Sequence, residues 1–103
     1  MKYKVMIVED QTMPRELFEL RIQASEHFEV ALSIDNAALA DVYCLRFPVD
    51  LILMDVVTRN GESGLDAAER IKRAFPQIKI IIVTSMPECS YLSRAREIGV
   101  ESF

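Results

Sequence analysis

Three short stretches, residues 4–8, 51–54 and 78–83, are almost unbroken runs of aliphatic side chains. Runs without a polar side suit strands covered on both faces, as in a parallel sheet flanked by helices. A fourth stretch, residues 28–33, interleaves Glu29 and Ser33 with Val30 and Leu32, which predicts a more exposed strand at an edge.

The segments between them carry helical spacing. Met13, Leu17, Leu20 and Ala24 recur at the helical period, with Pro14 placed for a first helical position. Asn36 is a candidate cap for a helix through Arg46, with Ala38, Val42 and Leu45 on one face. Ser63 caps the next, with Leu65, Ala68, Ile71 and Phe75 inward, Arg70, Lys72 and Arg73 outward, and Pro76 as the stop. The last covers about residues 88–98, with Tyr91, Ala95 and Ile98 inward and Gly99 just past its end. Strand and helix therefore alternate four times, and residues 100–103 read as the start of a fifth strand. The pattern predicts an α/β fold, a doubly wound parallel sheet reached by right-handed crossovers. Residues 1–103 form one domain on this reading, C-terminally incomplete because the chain stops inside an expected strand.

Composition narrows the function. Half of the residues are apolar, enough for a core in a chain of 103 residues. A net charge of −4 without a basic stripe argues against direct binding of nucleic acid or anionic membrane. Cys44 and Cys89 stand in no metal-binding spacing and read as reduced thiols of a cytoplasmic protein. His27 is the single histidine, which excludes a histidine-based triad or zinc site. The apolar run near the N-terminus is too short to read as a signal peptide, and no stretch reads as a membrane span.

In an open parallel sheet, ligands bind beyond the carboxyl ends of the strands. Glu9 and Asp10 follow the first strand, Asp55 the third, and Thr84 and Ser85 the fourth. Each has an ordinary reading alone: acids favour helix starts, Asp suits a turn, and Thr is a β-former. Their joint placement predicts converging carboxylates, which raise one another's pKa values unless a cation joins them. A hard divalent ion such as Mg²⁺ takes such oxygen ligands, and a carboxylate beside it can attack phosphorus to give an aspartyl phosphate.

The strings Val5-Met6-Ile7-Val8-Glu9-Asp10, Asp50-Leu51-Ile52-Leu53-Met54-Asp55 and Ile81-Ile82-Val83-Thr84-Ser85, with Gly64-Leu65 and Ala95-Arg96-Glu97-Ile98-Gly99, resemble the receiver domain of bacterial two-component response regulators over the whole chain. The resemblance implies a flavodoxin-like sheet of order 2-1-3-4-5 and a switch rather than a conventional enzyme. It implies that Asp55 accepts a phosphoryl group from a sensor histidine kinase. Asp10 would bind Mg²⁺ directly and Glu9 through water, with Asp55 and the backbone carbonyl of Val57. Thr84 would be the switch hydroxyl and Phe103 the switch aromatic. The output would be transcriptional, through a further domain.

Two departures stand out. Residues 58–63, Thr-Arg-Asn-Gly-Glu-Ser, replace the family's usual Met-Pro loop and predict a different path. The family's phosphate-binding lysine would stand about three residues after Phe103, past the last residue of this sequence, and Lys79 does not take its place because it begins the fourth strand at the opposite end. Weaker phosphorylation by small donors, and a homodimer that exchanges elements to cover the sheet edge, are the expectations that follow. Other functions fit less well. A haloacid-dehalogenase-like phosphatase needs a second acid where Val57 stands, and no glycine-rich phosphate loop follows the first strand. A pseudo-receiver that only dimerises is the remaining alternative.

Overall fold

The computed structural model describes residues 1–56, 58, 63–84 and 91–101. Strands β1 (Tyr3–Val8), β2 (Phe28–Ile34), β3 (Leu51–Met54) and β4 (Lys79–Ile82) alternate with helices α1 (Thr12–Gln23), α2 (Ala40–Arg46), α3 (Gly64–Ala74) and α4 (Leu92–Ile98). A short 3₁₀ turn, Ala37–Leu39, leads into α2. All pairings are parallel, in the order β2-β1-β3-β4. The mixed strand β2 lies at an edge, and none of its residues is fully buried.

Glu101 occupies the outer edge of β4, where a fifth strand was expected to begin. Its N–H donates to the Ile80 carbonyl (2.8 Å) and its carboxylate accepts from the Ile80 N–H (2.6 Å). Lys72 closes this corner by donating to the Glu101 carboxylate (2.6 Å) and the Ile78 carbonyl (2.8 Å), so it is not the outward-facing cation that its spacing suggests.

The two faces of the sheet are covered unequally. Met6, Val8, Ile52, Met54, Ile80 and Ile82 pack under Ala40 and Cys44 of α2, Leu65, Ala68 and Ile71 of α3, and Ala95 of α4. On the other face Val5 and Ile7 are fully buried, and α1 packs against β1 and β2. Leu51, Leu53 and Ile81 remain half-buried there. The strand runs thus predict burial on both sides correctly for β1, and on one side for β3 and β4.

Helix α1 turns the other way from its apolar spacing. Met13, Leu17 and Leu20 are 82%, 51% and 64% exposed, whereas Arg15, Phe18, Glu19 and Ile22 face the protein. Phe18 and Ile22 supply apolar contact, and two polar ties fix the rotation: Arg15 to the Glu9 carbonyl (3.0 Å) and Ser33 to the Glu19 carboxylate (2.9 Å). Pro14 is the third residue of α1 rather than its first, still within the turn where no intrahelical donor is required.

In the next segment Ala37, Ala40 and Cys44 are buried, while Ala38, Val42 and Leu45 point outward. Asn36 does cap, accepting from the Ala38 N–H (2.8 Å), but it opens a 3₁₀ turn. That turn winds more tightly than an α-helix, and the inward face is already set at its first residue, Ala37. The inward faces of α3 and α4 follow their spacing, although Arg70 is half-buried like Lys72 and the described part of α4 begins at Leu92: Ser63 accepts from the Leu65 and Asp66 N–H groups, Ala95 is fully buried, and Gly99 ends α4 in the left-handed region at φ 89°.

Candidate functional site

Parallel register brings the strand ends to one rim. Val8 pairs with Met54, and Met54 with Ile82. The ladder continues one step past each strand, with the Asp55 N–H donating to the Val8 carbonyl (3.0 Å) and the Val83 N–H to the Met54 carbonyl (2.9 Å). The residues just beyond β1, β3 and β4 are therefore neighbours. At the Glu9 side, its N–H donates to the Ile34 carbonyl (3.0 Å).

Ligand oxygens of Glu9, Asp10 and Asp55 lie within 4.8 Å of one another. Glu9 is buried, and Asp10 and Asp55 are half-buried. Burial pushes the Glu9 carboxyl up from 4.5 to about 7. The Gln11 N–H, donating to Glu9 Oε2 at 3.1 Å, opposes the rise, while Asp55 and Asp10 add to it. Close carboxylates disfavour each other's charged form. An all-oxygen cluster of this kind is the donor set that a hard divalent cation takes.

Gly64 makes this packing possible. Its N–H donates to the Val56 carbonyl (2.6 Å), and a Cβ there would overlap the Asp55 carbonyl oxygen. Only glycine lets α3 start this close to the backbone of Asp55.

Of the other expected site residues, Thr84 is half-buried at the same rim, two residues past the end of β4. Val57, Ser85 and Phe103 lie outside the described residues, as does Cys89. Lys79 pairs with Leu51 at the opposite end of the sheet, away from the acids. Two supporting residues escaped the reading of the sequence. Arg15 braces the Glu9 carbonyl, and its one signal was a cation in a helix's first turn, against the helix dipole. Thr58 is 2% exposed and accepts from the Ala37 N–H (2.9 Å). No local pattern pairs residues so distant in sequence.

Residues 5–103 match the response regulator receiver domain family. The chain belongs to this family. The receiver is 29% identical over 99 residues to the Fimbriae Z protein of Escherichia coli, covering 96% of this chain and 47% of that protein. It thus spans about half the length of the curated relatives it matches. The crystal structure of a LuxR-family DNA-binding response regulator from Staphylococcus aureus superposes with a TM-score of 0.88 at 26% identity, covering 97% of this receiver and 82% of that chain. A CheY-like receiver from Methanospirillum hungatei has a TM-score of 0.87 at 19% identity, covering 99% and 79%, which speaks for the fold alone. The domain is accordingly a signalling switch rather than a conventional enzyme. Among the described residues, no helix is long and apolar enough to cross a membrane.

Proposed function

We propose that this receiver takes a phosphoryl group on Asp55 from the phosphohistidine of a sensor kinase. The convergence of Glu9, Asp10 and Asp55 within 4.8 Å is the observation that carries the reading. An Asp55 carboxylate oxygen attacks phosphorus, the phosphorus–nitrogen bond to the kinase histidine breaks, and that imidazole leaves with the electron pair. Asp10 and Asp55 would hold Mg²⁺ directly and Glu9 through water, with the Val57 carbonyl as a further ligand implied by the resemblance. Bound Mg²⁺ supplies neutralisation of charge on the transferring group. Glu9 would face a bound cation as its carboxylate, since groups that hold a metal must be deprotonated.

Thr84, at the same rim, donates its hydroxyl to a phosphoryl oxygen, and Phe103 follows it inward as the switch aromatic. The altered surface then changes partner affinity. The receiver works in the cytoplasm and regulates transcription through a further domain. The names of the DNA-binding relatives support this output. Two copies associate by exchanging elements at the sheet edge, and the exposed apolar side chains Met13, Leu17 and Leu20 of α1 offer a further contact surface.

The test is titration with Mg²⁺ and beryllofluoride, which mimics a phosphoryl group on a carboxylate, followed by amide NMR. Wild-type protein should show saturable shifts around Glu9, Asp55 and Thr84, and Asp55→Asn should lose them. Identical responses from both proteins would overturn the assignment of Asp55.

A further inference from the structure

We infer that Thr58 is a positioning residue for the acidic rim: its hydroxyl, through residues 34–37, holds the Asp55 side of the cluster against the Glu9 side. The inference rests on the reading of that cluster as a Mg²⁺ site and names a residue outside it.

Two hydrogen bonds define the strap. At one end the Glu9 N–H donates to the Ile34 carbonyl (3.0 Å). At the other the Ala37 N–H donates to Thr58 Oγ1 (2.9 Å). Between them the chain leaves β2 and enters the 3₁₀ turn. Asn36 is committed elsewhere, since its side chain caps the Ala38 N–H (2.8 Å).

Ala37 is 0% exposed and Thr58 is 2% exposed. A buried amide without an acceptor is costly, so this bond has no cheap substitute from water. Thr58 stands three residues after Asp55. The chain leaving Asp55 is therefore gripped twice, by Gly64 N–H at the Val56 carbonyl (2.6 Å) and by Ala37 N–H at Thr58. Valine would match threonine in shape while removing the acceptor, so the need for the hydroxyl separates from the need for bulk.

Positioning and simple packing differ by reciprocity. If the strap favours the arrangement that binds a cation, then the cation must favour the strap by the same factor. A contact made equally with and without the cation carries no such linkage.

The experiment measures Mg²⁺ affinity by NMR titration for wild type, Thr58→Val, Thr58→Ser and Ile71→Val, well below each protein's Tm. Thr58→Val should weaken Mg²⁺ binding about tenfold, the scale of a lost outer-shell partner. Thr58→Ser, which keeps the acceptor, should bind as wild type does. Ile71→Val, a core change away from the rim, should lower Tm and leave affinity unchanged. Should Thr58→Val fail to fold, hydrogen exchange of the Ala37 amide in wild type decides the matter. Saturating Mg²⁺ should slow that exchange beyond any change at the core amide of Ile71.

Unchanged affinity in Thr58→Val with a lowered Tm would overturn the inference, as would Ala37 exchange that ignores Mg²⁺. Wild-type protein that binds no Mg²⁺ at Asp55 would instead overturn the reading of the cluster itself.

Discussion

The two faces of this sheet are built from the same strands and end in different states. The face carrying Met6, Val8, Ile52, Met54, Ile80 and Ile82 is closed by α2, α3 and α4. The face carrying Leu51, Leu53 and Ile81 is partly open, and α1 lies over β1 and β2 with its own apolar stripe turned outward. Aliphatic content is similar on both sides. On the closed face small residues, Ala40, Ala67, Ala68 and Ala95, let helices approach the strands and one another. The acidic rim runs along the ends of the strands, where both faces meet.

Paired truncations on one strand sharpen the contrast most. Ile52→Ala, at a fully buried position of β3, should cost about 3 kcal/mol of unfolding free energy. Leu51→Ala, the half-buried neighbour on the opposite face, should cost about 1 kcal/mol, in proportion to the apolar area it hides. Urea denaturation of both variants checks this, and equal losses would mean that the open face is covered in solution.

A smaller effect belongs to the rim. The folded Glu9 carboxyl titrates at about 7, against an ordinary 4.5. Between those values the native state binds more protons than the unfolded chain, so stability falls as pH rises. The Glu9 contribution is complete below 4.5 and is lost as pH passes about 7. Without metal, the urea midpoint should drop between about pH 5 and about pH 8, and saturating Mg²⁺ should flatten or reverse that drop. A metal-free midpoint that rises over this interval would count against a buried, crowded Glu9.

The smallest effect tests the exposed stripe. Leu20→Lys, at a site 64% exposed, should change stability by less than about 0.5 kcal/mol. A larger loss that depends on protein concentration would show that α1 is covered by a second copy.

Much of this was legible in the residues. The strands were plain because short aliphatic runs leave few other arrangements, and the caps at Ser63 and Gly99 are local chemistry that needs no tertiary contact. Glu9, Asp10 and Asp55 were legible as a group because each follows a strand, and parallel strands end at the same rim. Which side of α1 faces inward was not legible. Its apolar stripe was regular, but Arg15 and Glu19 make their partners with Glu9 and Ser33, residues of other elements. Nor was the inward face of α2, which is already set at Ala37 in a 3₁₀ turn that spacing alone does not reveal.

The sequence by itself determined the alternation of strand and helix, the polarity of the strand ends and the chemical type of the site, because each follows from side-chain pattern along a short length of chain. Tertiary structure alone decided how α1 is rotated, and that Thr58 closes on Ala37. Those outcomes depend on which partners meet across long separations in sequence, and no local preference encodes that meeting.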